Sequence, residues 1–355
     1  MKFIWYEKDG VKQAGILSGD GTRAAAVSAV LGGKQFGDMI SLIREISDGE
    51  LKLLGEAAAD PQKAAVFFPV SEIRILAPIE RPIHDVICVG VNYRDHLEES
   101  RASSIQFKEA PKKPVYFGKR ALRILGSGEK IQARPDIDEE LDYEVELAVI
   151  IGKTGRDIPR EKAEEYIFGY SVFNDLSSRS LQRSHVQWFR GKSLDTCTAM
   201  GPAILHKSAL PFPVEVDVIS RVNGEERQHS NTRLFLTDIP SLIADLSAGM
   251  TLEAGDIIAT GTPAGVGMGF SPRRFMKRGD EVVCEIPQIG WLGTVSFKHL
   301  DVYKRPEHAV KIVKHRGSPA RRQTRTGRTV RRSQGAPQGM PPVAQADADR
   351  PNHQT

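Results

Sequence analysis

The sequence predicts a β-rich α+β fold in three parts: a small N-terminal domain over residues 1–80, a larger domain over 81–303 and a disordered basic tail over 304–355. Three observations predict it. From Ile83 onward, short apolar or alternating runs separated by Gly, Pro and Asp turns outnumber helical stretches, which favours this class over a doubly wound sheet. Pro78 and Pro82 punctuate the chain as a linker. From Lys304 the chain carries twelve Lys/Arg against three Asp/Glu, a net +9 set against +4 for all 355 residues, so the body is left at −5.

The elements follow in order. Phe3–Tyr6 and Gln13–Leu17 flank a charged turn and predict a hairpin, and Met39 to Ala59 has helical spacing. Asp85 to Val91 predicts an apolar strand that runs into a short helical turn bearing His96 and Glu99. Leu141 to Ile151 predicts a core strand, Asp157 to Tyr166 a helix, and Ile167 to Phe173 a second strand that stops at Asn174-Asp175. Val214–Val222, Asp256–Ala259 and Glu281–Ile286 predict further strands, and Ile239–Ala248 a helix. No internal repeat at a fixed period interrupts this pattern.

Chemistry enters with Glu144 and Glu146. Residues two apart on a strand share one face, so two like charges meet at the edge of a core, which is costly unless a cation neutralises them. Asp175, at the mouth of the next strand, joins them if the two strands are neighbours. Three carboxylates without His or Cys favour Mg²⁺, with Mn²⁺ or Ca²⁺ as alternatives, over zinc. A solvated strand edge is the plainer reading of the Glu-x-Glu pair alone. His96 and Glu99, at i and i+3, share a helix face, where the carboxylate orients the imidazole and raises its basicity. As a surface ion pair they would be ordinary. Lys192 follows a glycine and is suited to an acidic substrate group, while Thr262 in the Gly-rich turn Ala259–Gly267 offers a hydroxyl and an N–H. Gly265, Gly267 and Gly269 are followed by Phe270-Ser-Pro, not by a helix, so they read as a turn and not as a dinucleotide loop.

Val89–His96, Tyr143–Leu147, Phe173–Asp175, Gly191–Thr196, Val222–Glu225 and Thr260–Pro263, in that order and spacing, resemble the fumarylacetoacetate hydrolase family from about Ile83 to Phe297. The resemblance implies metal ligands at Glu144, Glu146 and Asp175, and a catalytic dyad at His96 and Glu99. It implies a catalytic Lys192, substrate contacts at Arg179, Gln182 and Thr262, and a homodimer. One departure is Arg120, where many members of the family have Pro after the lysine of Phe117-Gly-Lys; it bears on substrate identity.

Composition is consistent with an enzyme of the cytoplasm. Cys88, Cys197 and Cys284 form no metal-like spacing, and an odd number of scattered thiols fits a reducing compartment. The start of the chain has no signal-peptide pattern, and there is no apolar run of about eighteen residues for a membrane span. The basic tail lacks aromatic interleaving, so neither nucleic acid nor membrane is expected as a partner. The activity expected is metal-dependent hydrolysis of a carbon–carbon bond in a small acylpyruvate or β-diketo acid. The alternatives are an isomerase, tautomerase or decarboxylase of a related keto acid such as oxaloacetate or a hydroxy-dienedioate, and a non-catalytic binder of an acidic ligand.

Overall fold

The N-terminal hairpin forms where the charged turn predicts it. Lys2–Lys8 pairs antiparallel with Val11–Leu17, and Asp9 (φ 52) and Gly10 (φ 79) take the two left-handed positions of a tight turn. This computed structural model describes residues 1–61, 66–102 and 111–298, which fall in one unit, Met1–Arg305. The basic tail lies outside the described residues.

An eleven-stranded sheet organises the chain. Its path runs through Phe68–Pro69, Arg23–Ala26, Val11–Leu17 and Lys2–Lys8 to Ala199–His206, Ile167–Asn174 and Val145–Ile151. It ends in Ile257–Ala259, Val86–Gly90 and Val115–Lys119, and Arg74–Ile75 pairs with Lys2–Lys8 off this path. Within it, Ile257–Ala259 and Val86–Gly90 are paired in parallel, so both chains leave the sheet at the same rim.

Strand alternation decides which core each side chain enters. In Val145–Ile151 the odd positions Val145, Leu147, Val149 and Ile151 pack with Val218, Val282, Cys284 and Ile286 of a second, five-stranded sheet. The even positions Ala148 and Ile150 pack with Met39, Ile40, Leu42 and Leu54 of the N-terminal helices. The large sheet is therefore the middle layer of three. Met39–Ala59 forms two helices, not one, because Asp38 and Ser47 each build a capping box and start Met39–Glu45 and Asp48–Ala59 separately. Between Asp157 and Tyr166 the expected helix is a 3₁₀ segment, Arg160–Tyr166, behind Pro159. Ile239–Ser247 is α-helical, capped by the Asp238 side chain.

The seam between Lys2–Lys8 and Ala199–His206 is apolar. The Phe3 ring lies 5.3 Å from that of Phe168, and the imidazole of His206 meets Phe168 edge-on at 5.4 Å. Burial, reinforced by the Lys207 charge and the N-terminal ammonium, pushes the His206 imidazole down to about 4. All three cysteines are buried thiols. Among the described residues no helix is long and apolar enough to cross a membrane.

Candidate active site and metal centre

At the other end of the same strands the buried groups are charged. Val145–Ile151 and Ile167–Asn174 pair antiparallel with Val145 opposite Asn174, which places Asp175 beside Glu144; the Asp175 amide donates to the Glu144 carbonyl at 2.9 Å. Glu144, Glu146 and Asp175 present carboxylate oxygens that all lie within 4.8 Å of one another, and all three residues are buried. Three buried carboxylates at that separation require compensation.

Three cations supply it. The Lys192 ammonium donates to Glu144 Oε2 at 2.7 Å and to Asp175 Oδ2 at 2.6 Å. Arg179 binds Glu144 Oε1 through Nη1 at 2.6 Å and Asp142 Oδ2 through Nε at 2.9 Å. Lys119, fully buried, lies 2.8 Å from Asp175 Oδ1 and also donates to the carbonyls of Leu176 (2.9 Å) and Lys192 (2.5 Å). Burial favours the neutral acid at Glu144, but Lys192 and Arg179 outweigh it and hold that carboxyl below its usual range. Glu146 goes the other way: burial, then the charges of Asp175 and Glu144, push its carboxyl well above that range. Its Oε2 accepts the Gly261 amide at 2.8 Å.

Asp142, Glu144, Glu146 and Asp175 thus face Lys119, Lys192 and Arg179, four carboxylates against three cations. With Glu146 held as the neutral acid by burial the three cations match the other three carboxylates, and the all-oxygen donor set fits a hard divalent cation that would take the place of the Glu146 proton and be held by Glu144, Glu146 and Asp175.

The dyad comes from the rim. Val91, a β-branched residue held at φ 54, turns the chain out of Val86–Gly90 and into the helix Arg94–Ala102. His96 Nδ1 lies 2.8 Å from Glu99 Oε2, and Glu99 Oε1 accepts the Gly265 amide at 2.9 Å. The Gly-rich turn holds the parts together, since Gly267 and Met268 amides donate to Asp142 at 2.7 and 3.0 Å. It must be glycine-rich where it touches them. A Cβ on Gly269 would lie 1.9 Å from Glu99 Oε1, and one on Gly267 would lie 2.7 Å from Asp142 Oδ1.

A cavity of about 240 Å³ opens onto this assembly. His96, Glu144, Glu146, Arg179, Gln182, Lys192 and Thr262 line it, so seven of the nine residues singled out from the sequence form part of its wall. Asp175 and Glu99 stand directly behind that wall, in contact with Lys192 and His96. The Thr262 hydroxyl is already engaged, donating to the Val145 carbonyl at 2.9 Å and accepting from Gln228 at 2.7 Å. Phe117 and Trp188 supply the apolar side, with rings 5.2 Å apart. Sequence reasoning missed Asp142, Lys119 and Gln228. Asp142 had a signal, because it precedes Glu144 by the same two residues that separate Glu144 from Glu146.

A family model described as fumarylacetoacetate (FAA) hydrolase C-terminal matches residues 85–295. Oxaloacetate tautomerase YisK of Bacillus subtilis (strain 168) is 43% identical over 259 residues, which is 71% of this chain and 85% of that protein. The mitochondrial oxaloacetate tautomerase Fahd2a of Rattus norvegicus is 40% identical over 242 residues, 66% of this chain and 75% of the other. Among solved structures, the fumarylacetoacetate hydrolase of psychrophilic Exiguobacterium antarcticum is 37% identical with a TM-score of 0.69, covering 84% of this chain and 99% of that one. The maleylpyruvate hydrolase of Sphingobium sp. SYK-6, solved with manganese(II) and pyruvate, is 30% identical with a TM-score of 0.64 over 84% of this chain and 99% of that one.

Proposed function

This chain belongs to the fumarylacetoacetate hydrolase family, and we propose that within it the protein is a metal-dependent tautomerase that interconverts the enol and keto forms of a small β-keto dicarboxylic acid of the oxaloacetate type. The relatives named as oxaloacetate tautomerases favour this over the carbon–carbon hydrolysis expected first from the sequence. The observation that carries it is the pairing of His96 and Glu99 on the same cavity as the buried carboxylates and Lys192. Tautomerisation needs one proton taken from the C2 oxygen, one delivered to C3, and stabilisation of the charge between those events.

A divalent cation held by Glu144, Glu146 and Asp175, with Mg²⁺ or Mn²⁺ as the candidates, would supply Lewis-acid stabilisation of negative charge on the substrate's C2 oxygen. The protein's own groups do the rest. With Nδ1–H given to Glu99, His96 keeps its lone pair at Nε2, takes a proton there from one substrate position and returns it at the other. Lys192 and Arg179 are tied to carboxylates at both ends of their reach, so they fix those carboxylates and add positive potential to the wall. Phe117 and Trp188 keep one side apolar, which disfavours a free water beside the reacting carbon.

The test is enolic oxaloacetate with Mg²⁺ in D₂O containing ¹⁸O. Ketonisation faster than in buffer, one deuteron at C3 and an intact carbon chain support the reading. Two fragments with ¹⁸O in a new carboxylate would establish hydrolysis instead, and no acceleration would sink both. His96→Ala should slow the reaction by roughly 10²–10⁴-fold, as expected for loss of a general base.

A further inference from the structure

A dicarboxylate has a second charged end, and among the described residues one cation lines the cavity without being used by the buried carboxylates. Of the cationic side chains lining it, Lys192 is spent on Glu144 and Asp175, and Arg179 on Asp142 and Glu144. Arg183 is different. It sits on the helix Arg179–Ser184, one turn beyond Arg179, and lines the cavity with its side chain 36% exposed. Its partner is Glu140, outside the cavity, reached through Nη2.

We propose that Arg183 is a specificity-determining residue that receives the distal carboxylate of a dicarboxylic substrate. Glu140 does not cancel it. Arg273 Nη1 also approaches Glu140, at 3.8 Å, so two guanidinium groups share that one carboxylate. A guanidinium has five N–H donors in a fixed fork, and the Glu140 contact uses Nη2, which leaves the rest of the fork for an anion. Glu140 therefore acts as a tether that points the arginine. Its neighbour Gln182 accepts from Arg179 Nη1 through Oε1 at 3.0 Å, an arrangement that leaves its amide N–H₂ as a donor on the same wall. Two donors on one helix, next to a charged interior that takes the keto-acid end, define a site for two carboxylates and not one.

This inference rests on the tautomerase reading, and the experiment separates the two. Ketonisation is measured with Mg²⁺ for enolic oxaloacetate, a dicarboxylate, and for enolic phenylpyruvate, a monocarboxylate, in wild type, Arg183→Gln and Arg183→Lys. Arg183→Gln should raise KM for oxaloacetate by roughly 10- to 100-fold, the loss of one charge-assisted hydrogen bond, with kcat nearly unchanged. KM for phenylpyruvate should stay within about twofold, the size of an untouched contact, and Arg183→Lys should recover part of the oxaloacetate loss. Equal effects on both substrates, a fall in kcat alone, or no effect would overturn the role of Arg183. Wild-type protein inactive on both enols would instead remove the tautomerase reading, whatever the variant does. Circular dichroism and melting of each variant show whether the fold is kept; a folded variant dead on both substrates counts against the proposal.

Discussion

Ile167–Asn174 runs from an apolar seam at one end to a charged pocket at the other, and the two ends are built on opposite terms. At the seam, Phe168 packs against Phe3 and His206, and burial is favourable in itself. At the pocket, Asp175 follows the strand into a cluster in which every charge is taken out of water. Such groups persist because each has a partner, and removing one partner strands the others. The seam is where the fold gains stability; the pocket is where it holds charges that a solvated surface would hold at no cost.

The largest expected effect breaks the pocket and spares the seam. Glu146→Gln should lower activity by roughly 10³-fold or more, since the Lewis-acid contribution of a metal centre is several kcal/mol. Because burial already favours the neutral acid at Glu146, melting without metal should change little. Calorimetry should show weakened Mg²⁺ binding, and near-normal turnover at low Mg²⁺ would remove Glu146 from the metal site.

Two substitutions of similar cost then tell the ends apart. Lys192→Met should destabilise the metal-free protein by about 3–5 kcal/mol by removing one of the three cations that offset the buried carboxylates, leaving Glu144 with Arg179 and Asp175 with Lys119 alone. Phe168→Ala should cost about 3–5 kcal/mol through a core cavity. Urea unfolding with and without Mg²⁺ separates them: the divalent ion should restore part of the Lys192→Met loss and none of the Phe168→Ala loss. Equal responses would mean that the ends are not distinct.

The smallest effect is acid sensitivity at the seam. The folded protein keeps His206 neutral down to about 4, while the unfolded chain protonates it near 6.5, so between those values the unfolded state binds more protons. Stability is complete above the upper value and falls as pH drops toward the lower one. His206→Asn should remove about 3 kcal/mol of that pH dependence across the window. An unchanged slope in melting against pH would assign the acid sensitivity to other groups.

Much of the carboxylate cluster was legible because a strand writes it into sequence with period two: Glu144 and Glu146 share a face whatever surrounds them. Asp142 obeys the same spacing and was overlooked, because the chain breaks between Leu141–Asp142 and Val145–Ile151 and the aspartate turns to the Gly-rich turn and Arg179. Lys119 was legible only as a landmark in Phe117-Gly-Lys and not in its role, since its partners are Asp175 and two carbonyls far along the chain. The helical run from Met39 to Ala59 was legible in period but not in its break, which depends on two local side-chain caps. The choice between hydrolysis and tautomerisation was not legible, because both proceed through an enolate and ask for the same cation and base.

Lys119 has a dynamic consequence. From the edge strand Val115–Lys119 its ammonium grips the carbonyls of Leu176 and Lys192, the two ends of the segment that carries Arg179, Gln182 and Arg183. It closes that stretch into a loop whose ends cannot drift apart while the grip holds, and the closure lowers the entropy of everything between them. Breathing of the pocket wall is then a single event and not many: amides from 176 to 192 should exchange with solvent at a shared rate, and Lys119→Met should raise that rate for the whole stretch at once.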